Sequence, residues 1–278
     1  MMGRTADPSV VLTTTPTLKS IVSEWLPESI RVESLVDGSQ DPHHLEIDTK
    51  HVLLAKRAKL VIAIGLDFED SWLTKLLKAS APKTKVFYVG DRLDATISMG
   101  GHLHERHKIN PHFLQSPNSI LEFSDKLHLE LVKLYPEEKS VIDRKYASFI
   151  KKLNEKNIEW AGKFKGLSNK KIITYHENLE YFSKNNGLDV VSHIESAHGV
   201  SPSPLHIKKL FQIIKNENIK CIVYDSNFSS EQLKKSRKLF SDAIQWVPVP
   251  SEVGADSDAS TYFLWVDKIV SQIKSCLN

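Results

Sequence analysis

Cysteine is nearly absent: Cys221 and Cys276 are the only two in 278 residues. That count excludes zinc sites built on paired CxxC motifs and small scaffolds held by many disulfides. The pair itself reads either as one bridge or as two buried free thiols. Long apolar runs are missing as well, since no window approaches the roughly 18 consecutive apolar residues of a bilayer-spanning helix. Neither sign of charge dominates, with 37 Lys plus Arg, 34 Asp plus Glu and a formal net charge of +3. That balance argues against a nucleic-acid partner. The opening MMGRTADPS is small and polar, lacks the apolar segment of a secretory signal, and reads as the trimmed start of a mature chain. No GxGxxG, P-loop or GxSxG motif occurs. The HExxH zinc-protease pattern begins at His176-Glu177 and then fails, because position 180 is Glu180.

What is present is a regular alternation of apolar strands and amphipathic helices. SVVLTTT reads as a strand, followed by a helix with Leu18, Ile21, Val22 and Trp25 at helical spacing. IRVESLVDG, the apolar run Leu60 to Ile64, and KVFYVGD are further strands with helices between them. Continuous apolar strands alternating with helices predict a parallel sheet covered on both faces. A helix from Ile120 to Leu134 ends at Tyr135-Pro136. A second helical run then extends from Glu137 to Phe164, with Val141, Tyr146, Phe149, Ile150, Leu153, Ile158 and Trp160 as its apolar stripe. At 1.5 Å per residue it would be a rod of roughly 40 Å. After GLSN the alternation restarts, through KKIITYH, LDVVSHIE, IKCIVYD and IQWVPVP, and closes on a helix from about Thr261 to Leu277. The expected fold is α/β, with two lobes, each a parallel sheet flanked by helices, joined by one long spine helix. The lobes fall at 8–136 and 166–278, with the spine at 137–165. A long spine predicts small motion between the lobes.

In open parallel sheets, ligands bind beyond the carboxyl ends of the strands. Three of the 12 histidines lie at such places: His43 in DPHHLEI, His112 in INPHF, and His176 at the end of KKIITYH. Taken singly, each is an ordinary exposed loop histidine. Proline precedes both His43 and His112, however, and restricts the backbone around them. Imidazoles converging from two lobes suit zinc, which takes nitrogen ligands at about 2.0 Å in a tetrahedral shell, an acid or water filling the fourth place. His44 reads as a loop side chain. His51 and His128 sit on polar helical stretches and read as solvated. His193, His198 and His206 flank turns with no partner set in view.

These segments together resemble the zinc and manganese solute-binding proteins of bacterial ABC importers, the helical-spine class of metal receptors. TTTPTLKSIV, DPHHLEI, INPHF, ITYHENLEYF, ESAHGVSPSPLHIKKL and the closing TYFLWVDKIVSQI match six family segments in order, over nearly the whole chain. The resemblance implies His43, His112 and His176 as metal ligands. Three imidazoles point to Zn²⁺ as the transported ion rather than Mn²⁺, which goes with a carboxylate at the third position. The fourth ligand, often an Asp before the last helix, has no clean match, and Glu252 is the nearest acid, with Asp225, Asp256 or water as alternatives. After the second ligand the family's aromatic and Asp are replaced by Leu114 and Ser116.

His102, His104 and His107 match in place the family's His-rich loop, which leaves two readings open, a loop that gathers zinc at the cleft mouth or one with no part in binding. The resemblance also favours a bridge between Cys221 and Cys276, which an oxidising compartment permits. It implies a monomeric receptor, periplasmic or lipid-anchored outside the cytoplasm, that binds zinc tightly and delivers it to a membrane permease. Two other readings stand beside it. One is a zinc-dependent hydrolase with Glu177 or Glu252 as base. The other is a non-transport zinc buffer or adhesin on the same fold.

Overall fold

The computed structural model describes residues 10–81, 83–94, 96–99, 109–195, 199–228, 230–240 and 243–278. In chain order the elements begin with β1 (Val10–Thr13), α1 (Pro16–Trp25), β2 (Arg31–Ser34), α2 (Thr49–Arg57), β3 (Ala58–Ala63), α3 (Leu73–Ser80) and β4 (Lys85–Tyr88). Next come α4 (Pro117–Leu134) and α5 (Lys139–Lys163). The chain ends with β5 (Lys171–Thr174), α6 (Glu180–Asn186), β6 (Asp189–His193), α7 (Pro204–Asn216), β7 (Cys221–Asp225), α8 (Ser230–Arg237), β8 (Gln245–Val249) and α9 (Tyr262–Leu277). Packing divides these into two compact units, Met1–Asp94 with Leu121–Lys152, and Ala95–Ile120 with Leu153–Asn278. Residues 95 to 120 thus group with the second unit although they precede α5 in the chain.

The first unit is a parallel sheet in the order β2-β1-β3-β4. Its central strands are the most apolar: Val10, Val11, Leu12, Val61, Ile62 and Ala63 are wholly buried, as expected of strands covered on both faces. Thr15 ends the first strand's extension and caps α1, its Oγ1 accepting from the Leu18 N–H at 3.3 Å, with Pro16 in the first turn. Trp25, at the other end of α1, is fully buried against the rings of Tyr146 and Phe149, at 5.1 and 5.6 Å between centroids.

The second unit repeats the topology as β6-β5-β7-β8, again all parallel. Ile173, Ile222, Ile194 and Leu210 form the centre of one core cluster. A disulfide joins Cys221 on β7 to Cys276 on α9, with Cα atoms 5.7 Å apart. The choice between bridge and free thiols is therefore settled for the bridge.

The long helix is present as α5, with a 3-10 turn at Pro136–Glu138 leading into its 25 residues, a length of about 37 Å. Its apolar stripe needs one correction. Phe149, Leu153 and Trp160 are buried, but Ile158 is 75% exposed. At 3.6 residues per turn, a position nine after Phe149 falls on the opposite face.

Two histidines expected to be solvated are structural. His51 is buried and completes a capping box on α2: its N–H donates to Asp48 Oδ1 (3.0 Å), while its Nδ1 accepts from the Asp48 N–H (3.1 Å). The proton is therefore on Nε2, which donates to the Leu35 carbonyl at 3.1 Å. His128 stacks on Tyr146 at 4.2 Å and lies 2.9 Å from Asp143 Oδ1. Helical periodicity cannot see either contact, because the partners come from outside the helix or from its cap.

Candidate metal centre

In the first unit His43 sits in the connection between β2 and α2, half-buried beside an exposed His44. Asp41 shapes the turn: its Oδ1 accepts the His43 N–H at 2.9 Å and its carbonyl accepts the His44 N–H at 3.1 Å. The loop between β3 and α3 braces this turn. Phe68 packs on the His43 ring at 4.3 Å, Ser71 Oγ donates to the His43 carbonyl (3.0 Å), and Trp72 Nε1 donates to the Pro42 carbonyl (3.0 Å).

That bracing loop begins with three consecutive left-handed residues, Gly65, Leu66 and Asp67, at φ 78°, 58° and 66°. Glycine tolerates this conformation, but leucine adopts it only where the surroundings enforce it. Glu69, 1% exposed, binds the start of this loop. Its Oε1 accepts from the Ile64 N–H and Thr14 Oγ1, each at 2.6 Å, and its Oε2 from the Gly65 N–H at 3.0 Å. Burial pushes this carboxyl up to about 7, against the pull of those three donors.

In the second unit His112 and His176 stand edge to face with ring centroids 5.0 Å apart. His176 follows β5 and is buried, whereas His112 lies half-buried in the NPHF segment ahead of α4. Asn110 sets the orientation of His112. Its Nδ2 donates to the Glu177 carbonyl (3.0 Å) and to Glu180 Oε2 (3.2 Å), so its Oδ1 is the acceptor for the His112 N–H (2.8 Å) and for Nδ1 (3.0 Å). The imidazole proton is thereby placed on Nδ1 and the lone pair on Nε2. His176 has a carboxylate in the corresponding position, with Glu195 Oε2 3.4 Å from Nδ1. Partners of this kind on the far nitrogen are the usual outer support of a metal-ligating imidazole. The sequence reading missed both Asn110 and Glu195. Asn110 stands in the same INPHF motif as His112, but its direction was not visible, and Glu195 lies after a different strand from His176, so its proximity was not visible either. Replacing Asn110 by Ala is expected to weaken metal affinity about 10 to 100-fold, read by competition with a chromophoric chelator.

A further cluster lies beside Asn110. Glu177, Glu180 and His193 each offer a ligand atom within 4.8 Å of the others. Burial pushes Glu180 up to about 8, with Glu177 adding to the effect. Burial likewise pushes His193 down to about 4, reinforced by His176 and His206. Burial thus favours the uncharged form of each, and the two lie 3.3 Å apart. His193 also contacts Thr174 Oγ1 at 2.8 Å through Nδ1, and its carbonyl lies 2.8 Å from His206 Nε2. The partner set that the sequence did not reveal for His193 and His206 is therefore here.

Glu252 is buried in the β8 to α9 connection, its carbonyl accepting the Ala255 N–H at 3.1 Å. Among the described residues, no group of three or more potential ligands within 4.8 Å of one another includes Glu252, Asp225 or Asp256. Both oxygens of Asp225 accept from Asn178 Nδ2, at 2.7 and 2.9 Å. His102, His104, His107 and His198 lie outside the described residues. A groove of about 440 Å³ lined by Trp160, Lys163, Asp267 and Lys274 carries none of the histidines. Leu114 and Ser116, where the family pattern has an aromatic and an Asp, are both buried.

Residues 11–276 match the family model described as ZnuA, zinc-uptake complex component A, periplasmic. The chain belongs to this family. The iron ABC transporter substrate-binding lipoprotein MtsA of Streptococcus pyogenes serotype M1 is 27% identical over 241 residues, covering 84% of this chain and 75% of MtsA. The manganese ABC transporter substrate-binding lipoprotein PsaA of Streptococcus pneumoniae is 25% identical over 240 residues, 84% of this chain and 77% of PsaA. A crystal structure of ZnuA superposes with a TM-score of 0.84 at 21% identity, covering 98% of this chain and all of that one. The ZnuA-family chain described here is thus an extracytoplasmic, metal-binding receptor of the ABC-importer class. Its relatives are named for different metals, so membership in the family does not choose among zinc, manganese and iron.

Proposed function

We propose that this receptor captures Zn²⁺ and delivers it to the membrane permease of an ABC importer, acting as a binding protein and not as an enzyme. His43 joins His112 and His176 as the protein's nitrogen ligands, with Glu252 as the candidate for the fourth position in the loaded state. The observation that carries this reading is the paired state of His112 and His176. Each has its Nδ1 faced by an outer oxygen, from Asn110 in one case and Glu195 in the other, an arrangement that makes Nε2 the metal-ligating nitrogen of each. Neutral imidazoles favour zinc over manganese, a harder ion that prefers oxygen.

Calorimetric titration of the metal-free protein tests the choice of metal. One equivalent of Zn²⁺ is expected to bind at least about 100-fold more tightly than Mn²⁺. Equal or tighter binding of Mn²⁺ would remove the zinc assignment.

A further inference from the structure

The first unit's sheet reverses its strand order between β1 and β3, and the loops leaving these two strands diverge there. In parallel sheets this crevice is where ligands collect. Here it is filled from within by Glu69, whose carboxylate ties the two loops together: Thr14 follows β1, and Ile64 and Gly65 follow β3. The two backbone N–H groups it accepts from are consecutive, those of Ile64 and of Gly65, the first of the left-handed residues, and Glu69 reaches them from the same loop. The segment it holds reaches the His43 turn at three points, through Phe68 on the ring, Ser71 on the His43 carbonyl and Trp72 on the Pro42 carbonyl.

We infer that Glu69 is a positioning residue for His43: it clamps the strained 65–67 backbone between β1 and β3, and through Phe68, Ser71 and Trp72 it fixes where the His43 imidazole points. Glu69 itself touches no metal. The inference rests on the reading of His43 as a ligand. Without the clamp, residues 65 to 67 relax toward ordinary backbone conformations, the brace shifts, and metal binding must reorder His43. The loss should therefore appear in metal affinity and depend on His43 being there.

A double-mutant cycle tests this with Zn²⁺ as the probe, in the full chain, using Glu69→Gln, His43→Ala and the pair. Glu69→Gln alone is expected to weaken zinc binding about tenfold, the lower end of what outer supports of metal ligands contribute. In the His43→Ala background the same change should have no further effect. An equal loss in both backgrounds would show Glu69 to act through general stability and would overturn the inference, as would unchanged affinity in the single variant. If His43→Ala alone leaves affinity untouched, the ligand assignment falls first and this inference with it, a distinct result. Should Glu69→Gln fail to fold, Thr14→Val removes one of the three donors and leaves both backbone N–H groups in place. A roughly threefold loss confined to proteins that retain His43 supports the inference, and no His43-dependent loss overturns it.

Discussion

If His176 is a direct ligand, as proposed, replacing it by Ala is expected to reduce zinc affinity by more than about 100-fold, beyond the range typical of outer-shell changes. The side chain is buried and follows the central strand β5. The pH dependence carries a second signature. Each ligating imidazole must lose its proton before the metal binds, so affinity falls as acid is added. Where protons compete fully with the metal, three such ligands give a loss of up to about a thousandfold per pH unit, and two give about a hundredfold. Titration of the wild type and His176→Ala between pH 5 and pH 7.5 should therefore show the slope falling by one. An unchanged slope would remove His176 from the ligand set.

The same position bears on metal choice. His176→Glu would exchange a nitrogen ligand for oxygen and favour manganese, but Glu195 lies 3.4 Å from the present Nδ1. Two carboxylates at that separation repel each other when both are ionised. The exchange is expected to work only together with Glu195→Gln.

Breaking the Cys221–Cys276 bridge is the second large effect. The cross-link spans 55 residues, and the chain-entropy relation for a loop of that size gives about 4 kcal/mol of stabilisation, chiefly through the unfolded state. Urea denaturation of a protein with both cysteines changed to Ser should show a loss of that order. A loss under about 1 kcal/mol would mean that the bridge only decorates contacts α9 already makes. Those contacts are considerable, since Tyr262, Trp265, Val266 and Ile269 are all buried.

The strands and most helices were legible because parallel sheets demand continuous apolar runs, and those runs are visible by eye in SVVL, KLVIAI and KCIVY. The placement of the three histidines after strands was legible for a related reason. Strand ends can be placed once strands are placed, and Pro-His marks two of the three turns. The supporting residues were not. Glu69 meets Ile64 and Gly65 at the head of a loop whose residues 65 to 67 take left-handed conformations, and nothing local announces this at Leu66 or Asp67. Asn110 and Glu195 depend on which way a side chain leaves its loop. His51 was misread because its two functions, capping α2 and reaching the Leu35 carbonyl, leave no mark on helical periodicity. Ile158 was counted as core by its type, although its angular position contradicts that count.

The burial of Trp25 against Tyr146 and Phe149 has a temporal side. A chain that emerges N-terminus first presents β1, α1 and the early strands long before α5 exists. The largest ring on α1 then lacks two of its aromatic neighbours until residue 149 has followed, even if the four strands of its own sheet have already paired. Exposed apolar surface of this kind is what holdase chaperones bind and what drives premature association. The first unit, first in the sequence, is therefore not independent of what comes later: its last wall is delivered only after the excursion through residues 95 to 120 has been made.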